Sequence, residues 1–339
     1  MLRRLALGAL FGGAIAIPVA CAATSGGGSQ FGEGGAGGDD DTTTSGPGTG
    51  GAGPAPQTSS TTGGDFIDGG LGTGGSDGGS PPLDDCAEAA KLIYVVGETY
   101  ELYSYDPPTK ELKQVGMLAC PAGGLATPFS MAVDRSATAW VLYSNGTIWH
   151  VDIKNGAKCS AANFVPNQSG FTTFGMGFVS DDVGSQDETL YVGNYSGQNL
   201  GKINPKTMVL TPVANYNGGG GLNGPAEITG TGDARLFGFF AKIAQGSTSV
   251  AEIDKATATL KSVVNLPNVD VGSGWAFAFW GGSFYLFTAP TGNSQVTKLT
   301  LDPANPNQGS TQIEVPSVGF VIVGAGVSTC APVVEPPPA

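Results

Sequence analysis

One pattern recurs along this chain and limits what it can fold into: a hydrophobic-x-hydrophobic pair, then Asp or Asn, then a small polar turn. The clearest copy is Trp149-His150-Val151-Asp152-Ile153-Lys154-Asn155-Gly156. Looser copies are Tyr103-Ser104-Tyr105-Asp106, Gly201-Lys202-Ile203-Asn204, Ala251-Glu252-Ile253-Asp254 and Leu299-Thr300-Leu301-Asp302. The marker positions 106, 152, 204, 254 and 302 lie 46, 52, 50 and 48 residues apart. An Asp or Asn leaving a strand in this way is expected to form the turn by hydrogen-bonding its own backbone, not to serve as a ligand.

Each period reads as short strands joined by Gly- and Asn-rich turns, with no helical stretch. In the second, Phe129–Val133 and Ala139–Tyr143 lead to the turn Ser144-Asn145-Gly146, then Thr147–Val151 and an outer piece near Lys158–Ala161. Asn-Gly between alternating strands signals a hairpin. Four strands in such a period predict a β-propeller blade. The first strands are Phe129–Val133, Phe174–Phe178, Ala226–Gly230, Trp275–Phe279 and Val323–Val327, and in four of the five small residues alternate with larger ones. Innermost propeller strands need this, because blades converge on the axis and leave one face little room.

The last such strand has no partners after it, whereas the first marker, Asp106, has no inner strand before it. Joining Cys330 to Cys86 completes a period of 48 residues. The expected architecture is therefore all-β: a five-bladed propeller over residues 86–331, closed by its C-terminal strand and followed by a Pro-rich tail, 332–339. Four cysteines lie in this region, Cys86, Cys120, Cys159 and Cys330, which is an even number suited to an exported chain and its disulfides. Three pairings are possible in principle. Ring closure selects Cys86 with Cys330 and leaves Cys120 with Cys159.

The N-terminal part differs in kind. Arg3 and Arg4 precede an apolar run, Leu5–Ala20, that ends in small residues, the pattern of a secretory signal peptide (residues 1–20). Cys21 after Ile17-Pro18-Val19-Ala20 resembles a bacterial lipoprotein signal, which implies a lipidated Cys21 as first mature residue; ordinary cleavage near Ala22 or Ala23 is the alternative. Residues 21–85 are Gly, Ser, Thr, Pro and Asp with little that is apolar, and are expected to form a disordered tether spanning roughly 45 Å root-mean-square. The expected address is the cell envelope, as an outer-surface or periplasmic lipoprotein with the membrane reached through the lipid anchor alone and the head monomeric.

From Cys86 on, 13 basic residues face 19 acidic ones, and no basic stripe appears. Nucleic acid is thus excluded as an expected partner. With one histidine and no close Cys-x-x-Cys, a zinc site is not expected. The acidic group Asp181, Asp182, Asp187 and Glu188 is read as a solvated turn, calcium being the one ion it could hold, so no cofactor is assigned. His150, beside Trp149 on a strand and far from any nucleophile motif, is read as structural.

Glycoside hydrolysis needs two carboxylates facing each other across the bond. The matching inner positions are Ser130, Gly175, Glu227, Ala276 and Gly324, only one of them acidic, and Asp134 lies near the opposite end of its strand. Glu227 remains a candidate ligand contact, because a lone carboxyl near a narrow axis must be solvated, hydrogen-bonded or bound. Phe129, Phe174 and Trp275, where three inner strands begin, are candidates for an aromatic binding floor.

In composition and layout the chain resembles uncharacterised secreted propeller lipoproteins of the myxobacterial type. The phrases that carry the resemblance are Met131-Ala132-Val133-Asp134-Arg135, Trp275-Ala276-Phe277-Ala278-Phe279-Trp280-Gly281-Gly282 and Gly324-Ala325-Gly326-Val327-Ser328-Thr329-Cys330. The resemblance implies fold and address but no chemistry. The expected function is non-catalytic binding of a protein or glycan ligand, with an extracellular glycoside hydrolase as the alternative.

Overall fold

The computed structural model describes residues 86–337 except 197, 220, 221, 223 and 242–247. The expected signal peptide, Cys21 and the tether lie outside the described residues. The described part is a five-bladed β-propeller; in blades 2, 3 and 5 four antiparallel strands run outward from the axis in sequence order, while blade 1 takes its inner strand from the C-terminal end and blade 4 adds an outer parallel strand.

Blade 1 takes β1 (Ile93–Gly97), β2 (Glu101–Asp106) and β3 (Glu111–Met117). Blade 2 is β4 (Pro128–Val133), β5 (Thr138–Tyr143), β6 (Ile148–Asp152) and β7 (Lys158–Ala161). Blade 3 is β8 (Phe174–Ser180), β9 (Glu188–Asn194), β10 (Asn199–Ile203) and β11 (Leu210–Asn215). Blade 4 begins outside, with β12 (Asn217–Gly218), and continues with β13 (Ala226–Gly230), β14 (Leu236–Phe240), β15 (Thr248–Ile253) and β16 (Thr259–Leu266). Blade 5 is β17 (Trp275–Trp280), β18 (Ser283–Thr288), β19 (Gln295–Asp302) and β20 (Asn305–Val315). The chain then returns as β21 (Ile322–Gly326), which pairs antiparallel with β1, Val95 opposite Ala325.

The loop before β13 lays β12 parallel against β16 as a fifth strand.

The recurring Asp or Asn builds the turn after each third strand. Asp152 Oδ1 accepts from Lys154 N, Asn204 Oδ1 from Lys206 N and Thr207 N, and Asp254 Oδ1 from Ala256 N and Thr257 N. Asp302 Oδ1 accepts from Ala304 N, and Asp106 Oδ2 from Thr109 Oγ1. All but that of Asp106, which bonds a side chain, are Asx turns, in which the side chain mimics the next backbone carbonyl.

Close approach at the axis explains the small residues. A Cβ on Gly175 would lie 2.3 Å from Ala226 O and 2.6 Å from Glu227 Cα. One on Gly324 would lie 3.0 Å from Ser130 C and 3.1 Å from Met131 N. The large residues between them point into the gaps between blades, where five separate apolar clusters form, one in each gap. Blade-to-blade burial of this kind is what holds the ring, since no blade can bury both of its faces alone.

Two disulfides staple the ring. Cys86–Cys330 joins the start of the propeller to the end of the closing segment, with Cα atoms 5.8 Å apart and 244 residues between them in sequence. Cys120–Cys159 ties the chain leaving blade 1 to the outer strand of blade 2. The tail beyond Ala331 is not free of the head: Gly281 N donates to Pro332 O at 2.7 Å, and Glu335 pairs with Lys298 at 3.2 Å.

Candidate functional site

Glu227 and Thr229 break the rule of small axial residues on β13, and both are hydrogen-bonded. Ser130 Oγ donates to Glu227 Oε2 at 2.8 Å and accepts from Met176 N at 3.2 Å. Ser130 is on blade 2 and Glu227 on blade 4, with blade 3 between them, so the bond crosses the axial space. Thr229 Oγ1 accepts from Phe279 N of blade 5 at 3.2 Å. Glu227 is only 5% exposed. Burial therefore raises its pKa well above the usual carboxylate range, and the one Ser130 hydrogen bond opposes this only in part.

Above this carboxyl, on the face where the inner strands begin, lies a cavity of about 430 Å³. Its wall includes Phe129, Tyr195, Trp275 and Val323, its floor Glu227, and its rim Glu98, Thr99, Thr127 and Ser273. No Lys, Arg or His belongs to this lining among the described residues. The three rings form one row: Phe129 and Tyr195 meet edge to face with centroids 5.5 Å apart, and Tyr195 stacks on Trp275 at 6.1 Å and 28°. The Trp275 indole N–H is buried with no acceptor among the described residues.

Three of the four candidate residues thus come together: Phe129, Trp275 and Glu227. Phe174 does not join them. It is fully buried between blades 2 and 3, edge-on to Phe164 and Phe171. Strand pairing separates Phe129 from Phe174, though it does not set Trp275 apart, whose pairing with Thr288 is regular. In β4 the register shifts between Pro128 and Ser130, leaving Phe129 without a partner, and such a bulge re-aims its side chain. In β8 the pairing is regular from Phe174↔Asn194 onward, which keeps Phe174 on the same face as Met176 and Phe178. Tyr195, which the sequence did not single out, supplies the missing ring from the turn between β9 and β10.

A larger groove, about 640 Å³, opens at the other end of the inner strands, between blades 2 and 3. Its polar groups are largely engaged with one another. Asp134 accepts from Ser136 N, Thr138 N and Trp140 Nε1. Glu188 accepts from Arg135 N at 3.1 Å and Thr329 Oγ1 at 2.9 Å, linking blades 2 and 3 to the end of the closing segment. Burial pushes the Glu188 carboxyl up to about 7 in spite of those two bonds. Glu188 therefore leaves the acidic turn in which the sequence placed it. Asp181 stays at the surface, taking a bond from Thr189 Oγ1 at 2.7 Å. Among the described residues no three His, Cys, Asp or Glu side chains come together as metal ligands. His150 packs its ring on Trp140, centroids 4.2 Å apart, and burial lowers its pKa.

The sequence matches no protein-family model and no curated protein. Among solved structures the chain is similar to hydrazine synthase of Kuenenia stuttgartiensis, at 13% identity and TM-score 0.40, over 72% of this chain and 70% of that one. It is also similar to a Bacteroides caccae protein of unknown function, at 12% identity and TM-score 0.41, over 69% and 97%. A third is the RRP9 WD40 repeats, at 10% identity and TM-score 0.39, over 70% and 81%. At these values the likenesses carry no assignment of function.

Proposed function

We propose that this protein is a non-catalytic binding module, held at the cell surface by a lipidated Cys21 and a disordered tether, that takes a protein or glycan ligand into the cavity at the axis. The observation that carries the reading is the row Phe129–Tyr195–Trp275 standing over Glu227 in one concave site. Aromatic walls with a few placed polar groups are the common build of a recognition site. The two disulfides fit an oxidising compartment, in keeping with the export signal. The test is a screen of glycans, peptidoglycan fragments and peptides against the isolated head, run beside a hydrolysis screen on the same compounds. Saturable binding without turnover supports the reading, and turnover overturns it.

One observation favours the alternative of a glycoside hydrolase. Glu98, from the turn after β1, lines the same cavity as Glu227 and supplies the second carboxyl from a loop. Against it, Glu227 is bonded across the axis to Ser130, and the other matching inner positions are Gly175, Ala276 and Gly324, none of which can serve as acid, base or nucleophile.

A further inference from the structure

We propose that the cavity over Glu227 selects ligands that present an alkylammonium group, primary or methylated. This rests on the reading of the cavity as the binding site and names the chemistry it would take.

The argument begins from what the lining offers. Three aromatic rings, Phe129, Tyr195 and Trp275, provide π surface, and among the described residues the ionisable acids of the lining are the carboxyls Glu227 and Glu98. Among the described residues no cation lines the cavity beside either one. Aromatic faces attract a desolvated ammonium through the ring quadrupole, and methylated ammonium most readily, because it gives up little hydration. A carboxyl at the floor supplies the counter-charge. Anionic ligands are disfavoured by both features. A neutral sugar would use the rings but would gain no ionic attraction from the floor carboxyl, which stays protonated beside it.

The state of Glu227 gives the proposal a signature. Ser130 on β4 bonds it and Gly175 on β8 packs beside its Cα, neither of them charged, and Glu98 and Tyr195 are the other titratable groups of the cavity among the described residues. Without a ligand, burial favours the neutral acid. A bound cation favours the carboxylate, so binding releases a proton, and it tightens as pH rises towards the pKa of the free protein, by up to about tenfold per pH unit. A neutral ligand would show no such dependence.

The test compares choline, its neutral isostere 3,3-dimethylbutan-1-ol and Nα-acetyl-lysine N-methylamide, by titration calorimetry on the intact head between pH 5 and pH 8. The expected result is binding of choline or the lysine amide at least tenfold tighter than the isostere, strengthening with pH, with proton uptake by the buffer. Choline and the lysine amide separate a methylated headgroup from a protein side chain as the natural source. Glu227→Gln should remove the pH dependence while keeping the Ser130 contact, and Glu98→Gln reports on the rim carboxyl should the axial variant misfold. Equal binding of the isostere, or no binding of either ammonium probe, overturns the proposal. If glycans or other peptides nonetheless bind in the cavity, the broader reading survives, so the two failures are distinguishable.

Discussion

Replacing the Cys86–Cys330 pair should destabilise the head more than replacing Cys120–Cys159, and the size of the difference follows from the ring. The first bridge spans 244 residues and the second 39. In the loop-entropy model these correspond to about 5.5 and about 4 kcal/mol at 25 °C, so the two double variants should differ by roughly 1.5 kcal/mol. For a domain of this size each kcal/mol moves Tm by about 2–4 °C, which puts the loss for C86S/C330S at about 10 °C or more and the gap between the variants at about 3–6 °C. Closure strengthens the expectation, because Cys330 follows β21, the strand that completes blade 1. Differential scanning calorimetry on C86S/C330S and C120S/C159S, each beside the oxidised head, gives both numbers. Equal Tm values for the two variants, or a C86S/C330S variant as stable as the parent, would refute the reasoning that the bridge locks a ring.

Three further outcomes follow from individual residues. Gly175→Ala puts a methyl 2.3 Å from Ala226 O, where backbone on both sides cannot move aside, so urea unfolding should show a loss of about 1–3 kcal/mol. Asn204→Ala removes the acceptor for Lys206 N and Thr207 N and should cost about 0.5–1.5 kcal/mol in the same assay. Glu188 is an acid whose pKa is raised on folding, to about 7 from an ordinary 4.5, so the folded state holds its proton after the unfolded state has released it. Its contribution to stability is therefore full below pH 4.5 and is lost as pH rises to 7. Glu188→Gln should flatten the fall in Tm between pH 5 and pH 7, and an unchanged slope would show that the carboxyl titrates normally.

The features legible in the sequence are those set by local chemistry or by a strict geometric demand. Asp152 and its counterparts form their turns with their own neighbours, so spacing alone revealed them. Gly175, Ala276 and Gly324 mark the axis because nothing larger fits between converging strands. Joining Cys330 to Cys86 predicted both the closing strand and its disulfide. The site was legible only in part, since what places its walls is not local. Phe129, Phe174 and Trp275 look equivalent in sequence, yet a bulge in β4 and regular pairing in β8 send Phe129 to the cavity and Phe174 into the core. Tyr195 enters from a connecting turn that carries no periodic signal. Glu188 sits beside Asp187 in an acidic turn, and only the approach of Arg135 and Thr329 from other parts of the ring encloses it.

The most direct measurement of the central claim is a crystal structure of the head with a ligand found by the binding screen. The account predicts that ligand against Phe129, Tyr195 and Trp275, above Glu227. Density instead in the groove beside Glu188, or on an outer strand with the axial cavity unchanged, would contradict it.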